Sequence, residues 1–127
     1  MENLVKDFLK QKKFAVAGSF RNESKYAYKI LKKLMEKGYE VYPVNPRIDK
    51  VEGIRCHKSI SDIPGGVDVV NVVTPPAITE KIVKECHERT IKRVWLQPGA
   101  ESESAIKFCQ ENGINVIYGL CVMLEHR

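Results

Sequence analysis

The chain has 127 residues, 43% of them hydrophobic and 29% charged, with a formal net charge of +5. This length predicts a single domain over residues 1–127 with one core, and the composition is that of a globular chain rather than a disordered one. The apolar runs are too short to span a bilayer and the basic residues are scattered rather than gathered into a stripe, so no membrane and no nucleic acid is expected as a partner.

The opening "MENLVKDFLKQKK" is interrupted by Glu2 and Asp7, and no long apolar segment follows, so it does not read as a secretory signal. Leu4, Val5, Phe8 and Leu9 instead share one face of a short amphipathic helix. A cytoplasmic location is therefore expected, with Cys56, Cys86, Cys109 and Cys121 reduced. No two of them have C-x-x-C spacing, which argues against a zinc site. Cys86 and Cys109 fall on apolar helix positions and read as small core residues.

Five strands are predicted at "FAVAG" (14–18), "YEVYPV" (39–44), "VDVVNVV" (67–73), "KRVWLQ" (92–97) and "NVIYG" (115–119), all rich in β-branched and aromatic residues. "VDVVNVV" is nearly all apolar, as in a strand covered on both faces. Helical stripes separate most of them: Ala27, Ile30, Leu31, Leu34 and Met35; then Ile78, Ile82, Val83 and Cys86; then Ala105, Phe108 and Cys109. Gly38 and Gly113 each stop a helix just before a strand. The link from Val44 to Val67 has room for a short edge strand near Ile54–His57 and a helical turn near Ser59–Ile63. Alternating β and α units imply an open, mostly parallel sheet of five to six strands with helices on both faces. The 67–73 strand should return to the far side of the 14–18 strand, leaving a switch point where such sheets bind ligands.

The chemistry gathers at that switch point. Gly18 permits close backbone approach to a phosphate, Asn22 or Ser24 can cap the following helix, and its N-terminus favours an anion. Arg21 and Lys25 add positive charge, although a lone glycine turn is also explained by structure alone. A dinucleotide site needs G-x-G-x-x-G and an acidic residue about 20 positions on. Here there is one glycine, and the second strand ends in "VNPR", where Asn45 can hydrogen-bond and Arg47 suits a further phosphate. In "VVTPP" (72–76), Pro76 or Pro75 starts a helix, and the apolar stretch before it offers a flat slot for a base. Glu101 and Glu103 read as helix-start charges, and His57 and His87 as surface residues.

Taken together, "AVAGSFRNESKY", "GYEVYPVNPR", "CHKSISDIPGGVDVVNVVTPP", "VWLQPGA" and the terminal "CVMLEH" resemble the stand-alone CoA-binding domain family, which is similar to the N-terminal domain of the succinyl-CoA synthetase α subunit. The resemblance covers nearly the whole chain. It implies a Rossmann-like nucleotide-binding fold that holds CoA or an acyl-CoA. It implies phosphate contacts from Gly18, Ser19, Phe20, Arg21 and Lys25, continued by Asn45, Pro46 and Arg47. It places Val72, Val73, Thr74 and Pro75 beside the adenosine with Ile78 behind, and Gln97, Pro98 and Gly99 along the pantetheine. His126, in the terminal "EH", would stand towards the thiol end. Cys121, read from its place near the sheet's C-terminal edge, would form a mixed disulfide with the CoA thiol if exposed and be inert if buried. The synthetase subunit also bears a phosphorylated histidine on a second domain, which these residues do not contain, so ligase activity is not implied. The expectation is a CoA-binding module without catalysis of its own, open to a protein partner or to homo-oligomer formation. The alternative is an enzyme, or a subunit of one, using acyl-CoA or a nicotinamide cofactor.

Overall fold

The computed structural model describes residues 2–20 and 25–125. Five parallel strands, β1 (Lys13–Gly18), β2 (Glu40–Val44), β5 (Val69–Val73), β6 (Arg93–Leu96) and β7 (Asn115–Tyr118), form one sheet in the order β2-β1-β5-β6-β7. Gly18 stands in register with Val73, and Ala17 with Val44, so the ends of β1, β2 and β5 open side by side. The chain leaves β1 towards β2 on one side and returns through β5 on the other, which creates the switch point that the strand pattern predicts.

Alternation along the strands builds the two cores. Phe14, Val16, Val69, Trp95 and Ile117 face α1 (Glu2–Leu9), α2 (Tyr26–Glu36) and the short α5 (Val122–Glu125). Ala15, Ala17, Val70, Val72, Val94 and Leu96 face α3 (Pro76–Glu88) and α4 (Glu103–Glu111). A period of two assigns each side chain to one layer. α1 seats Val5 and Phe8, and the Phe8 ring meets Trp95 edge-on at 6.0 Å. α2 buries the predicted Ala27, Ile30, Leu31 and Leu34 and stops at Gly38, whose φ of +90° is a conformation that glycine adopts without strain.

The predicted edge strand near Ile54–His57 divides in two. β3 (Lys50–Val51) and β4 (Ile54–Arg55) pair antiparallel across Glu52 and Gly53, whose φ values of 51° and 75° make a two-residue hairpin turn. Only His57 reaches the main sheet, through a single parallel bridge to Val44. His57, expected on the surface, is instead buried at 8% exposure with its ring edge-on to Tyr42, because this bridge draws it in. The helical turn is a 3-10 helix at Ile60–Asp62. The second apolar stripe also divides. Val83 and Cys86 enter the core, joined by Thr79, while Ile78 stays 43% exposed. Among the described residues no helix is long and apolar enough to cross a membrane.

Candidate functional site

At the C-terminal ends of β1, β2 and β5 the chain encloses a groove of about 480 Å³. Its walls come from Gly18 and Ser19 at the end of β1, Asn45–Arg47 after β2, Val73–Pro75 at the end of β5, the Lys58–Ile60 link, and the face of α3 bearing Ile78, Lys81, Ile82 and Glu85. A second hollow of about 450 Å³ adjoins it, sharing Ser19, Asn45 and Arg47 and adding Lys25 and Ile48. The floor is apolar and the rim carries Lys25, Arg47, Lys58 and Lys81, all exposed. A flat apolar base and an anion are the two chemistries that such a groove accommodates together.

Two local devices shape it. Gly18 has no room for a side chain: a Cβ there would lie 2.7 Å from Ala27 Cβ and 2.9 Å from the Val73 carbonyl oxygen. The glycine is thus required by the packing of α2 and β5 on β1, whatever approaches from outside. Asn45 directs both ends of its carboxamide inward. Its Nδ2 donates to Gly18 O at 2.7 Å, and its Oδ1 accepts the Arg47 N–H at 2.8 Å. Its backbone N–H reaches His57 O at 2.8 Å, and the His57 N–H reaches Pro43 O at 2.9 Å. Asn45 therefore holds the "VNPR" loop across the end of β1 and presents Arg47 at the rim. Pro75 precedes α3 and Pro76 begins it, as proline at a first turn requires.

Residues 12–127 match the CoA binding domain family. The chain belongs to that family. The CoA-binding domain is 31% identical over 123 residues to the uncharacterized protein YneT of Bacillus subtilis (strain 168), covering 96% of this chain and 91% of YneT. It is 29% identical over 126 residues to the acetate–CoA ligase [ADP-forming] II subunit alpha of Pyrococcus furiosus. That alignment takes 91% of this chain but only 28% of the subunit. Among solved structures, a hypothetical protein from Pyrococcus horikoshii OT3 superposes with a TM-score of 0.93 at 33% identity, over 98% of this chain and 88% of that one.

In this CoA-binding domain the predicted site residues fall into three groups. Gly18, Ser19, Asn45, Pro46, Arg47, Val73, Thr74, Pro75 and Ile78 meet around the groove, with Lys25 in the adjoining hollow. Phe20 and Val72 are buried in the cores, so neither presents a side chain to the groove. Gln97, Pro98 and Gly99 follow β6, outside the groove lining; Gln97 is fully buried, whereas Pro98 and Gly99 are exposed. Arg21, Asn22, Ser24 and His126 lie outside the described residues. Lys25 itself precedes α2 with an extended backbone and no side-chain cap.

Sequence reasoning missed Lys58 and Lys81. Lys81 was legible in principle, since 78, 81, 82 and 85 share one helix face, but Lys58 is brought in only by the His57 bridge. It also missed Ser102, whose Oγ caps α4 by accepting the Ala105 N–H at 3.1 Å; Glu103 starts that helix, while Glu101 accepts the Gly99 N–H at 2.9 Å. Burial pushes the Cys86 thiol well above its usual range and that of Cys109 up to about 11, as befits core residues between α3 and α4. A further hollow of about 380 Å³ lies at the opposite end of the strands, by Lys12, Asp68 and Arg89. Asp68 there accepts the Lys13 N–H at 3.0 Å and serves the fold.

Proposed function

We propose that this chain holds CoA or an acyl-CoA in the groove over β2, β1 and β5 and catalyses nothing by itself. The supporting observation is the pairing of an apolar floor, formed by Val73, Pro75, Ile78 and Ile82, with a rim of Lys25, Arg47, Lys58 and Lys81. CoA carries an adenine, a pyrophosphate and a ribose phosphate. A base on the apolar floor leaves those phosphates to the rim cations, where charge-assisted hydrogen bonds are the strong ones. NAD lacks the ribose phosphate and needs an acceptor for its ribose hydroxyls; at the end of β2 stands Arg47 instead, and Asn45 is already engaged with Gly18 and Arg47.

In titration calorimetry CoA is expected to bind more tightly than dephospho-CoA and than NAD. Equal affinities for CoA and dephospho-CoA would remove the ribose-phosphate contact from this reading. A second reading, a subunit that works beside a catalytic partner chain, draws on the similarity to part of a ligase subunit. Incubation of the pure protein with ATP or GTP, CoA and short carboxylic acids tests whether this chain is inactive by itself, as both readings require. Acyl-CoA formed by this chain alone, and lost in Arg21→Ala, would overturn the non-catalytic reading.

A further inference from the structure

The two lateral edges of the sheet end differently. At β2, His57 bridges to Val44 and the β3–β4 hairpin packs alongside. At the opposite edge, β7 pairs only with β6 among the described residues. The Asn115 N–H reaches Lys92 O on the β6 side at 2.8 Å. Backbone direction alternates along a strand, so Val116 and Tyr118 turn their N–H and C=O groups to the open side. Such a row of groups is a template for pairing with another strand. Beside it, α1, the end of β7 and α5 surround a hollow of about 530 Å³. Val5, Leu9, Tyr118 and Leu120 give it an apolar lining, and Glu2, Lys6 and Glu125 are its charged members. Tyr118 is 37% exposed, and Leu124, next to Glu125, is 60% exposed.

We propose that this face, the open edge of β7 with the α1–α5 hollow above it, is an interface that takes a second copy of this chain about a two-fold axis. An axis normal to the sheet beside β7 sets the two β7 strands antiparallel. The free groups of Val116 and Tyr118 in each copy then pair with those of the other, and the two sheets become one. The same axis brings both α1 helices to one face of that sheet, side by side and antiparallel. Lys6 of each copy meets Glu2 of the partner subunit, and the apolar lining and Leu124 meet their equals. In a two-fold contact each patch must complement itself. The charges select this occupant: a lysine placed between carboxylates on one patch is complementary to its own copy, whereas Glu2 and Glu125 repel a nucleic acid or an anionic membrane. An open strand edge likewise requires another open edge, and each copy supplies one. The proposal does not rest on the CoA reading, because the groove spans β2, β1 and β5 and stays open in both copies.

The test is sedimentation velocity of the pure chain over a dilution series, with carbodiimide cross-linking of an equal mixture of unlabelled and 15N-labelled protein. A particle of twice the 14.5 kDa chain mass is expected, with light-to-heavy cross-links joining Lys6 to Glu2 or Glu125. Leu124→Glu and Lys6→Glu alter exposed side chains; each should melt cooperatively and run as a monomer where the wild type is a dimer. Adding Glu2→Lys to Lys6→Glu reverses both signs and should restore the dimer. If a variant fails to fold, the wild-type cross-links still decide. A wild type that stays monomeric up to millimolar concentration overturns the proposal. So does a dimer that both variants leave intact, a mixed cross-link that avoids these residues, or a monomer that uses this face only for a different chain.

Discussion

Asn45 and Gln97 are the same functional group at the same edge of the sheet, one just after β2 and the other just after β6, yet they are used in opposite ways. Asn45 is half-exposed and gives both ends of its carboxamide to the protein. Gln97 is fully buried; its Oε1 accepts the Val122 N–H and Asn71 Nδ2, and its carboxamide acts on the Tyr26 phenol. In the β2–β1–β5 half, polar groups are committed to shape, and it is the long cations of the rim that face solvent. In the β5–β6–β7 half, the corresponding polar group lies inside, among Asn71, Val122 and Tyr26. Recognition of an anion needs mobile charge on a fixed frame, whereas a buried amide serves the packing around it.

The comparison breaks first at Val73. It is the last residue of β5 and lines the groove, and Val73→Glu would set a carboxylate against both the base and the phosphates. CoA binding should be lost; a cooperatively melting Val73→Glu protein that binds CoA normally would refute the groove.

The rim comes next. Lys25→Ala and Arg47→Ala should each weaken CoA by about 1.5–3 kcal/mol, the range for hydrogen bonds to charged groups, with thermal unfolding unchanged. The wild-type affinity should fall as salt rises, since exposed charges are screened. If both variants bind like wild type in calorimetry, the phosphates lie elsewhere.

Asn45→Ala sharpens the contrast in the opposite sense. It deprives Gly18 O and the Arg47 N–H of their partners, and denaturant unfolding should show a loss of about 1–2 kcal/mol. Asn45→Asp, which keeps the acceptor for Arg47 but loses the donor to Gly18, should fall between the two. An Asn45→Ala protein of unchanged stability would mean that the loop is held by other contacts.

The smallest effect is expected far from the edge, at the 2.8 Å pair of Asp7 and Arg93. The hydrogen bond from Arg93 holds the Asp7 carboxyl below its usual value. A depressed folded-state pKa means that the pair stabilises above the ordinary carboxylate range and loses that contribution as pH falls through the folded value. Asp7→Asn should therefore cost at most about 1 kcal/mol at neutral pH, as partly exposed ion pairs do. Its melting temperature should converge on wild type in acid; a gap that persists at low pH would show that packing, not charge, is at stake.

Much of this was legible in the residues. The strand runs, the helical stripe of α2, the glycine stops and the switch point follow from apolar periodicity, because burial selects one face of each element. Alternation along β6 even places Gln97 on the same face as Trp95. The hairpin at Glu52–Gly53 was not legible, since a glutamate with positive φ carries none of the usual turn signal. The exposure of Ile78 was not legible either, because the same spacing serves a core stripe and a groove wall.

The sequence by itself determined an α/β fold with parallel strands, a single-glycine turn beside cations, and a resemblance spread over nearly the whole chain. These are properties of neighbouring residues, where local conformation and the period of burial decide. Only the tertiary structure brought Lys58 and Lys81 to the rim beside Arg47, drew His57 inward, turned Asn45 back onto Gly18, and set Tyr26, Gln97 and Cys121 in one place. Those meetings depend on strand order and register, which join segments far apart in the chain and leave no trace in the spacing of any one of them.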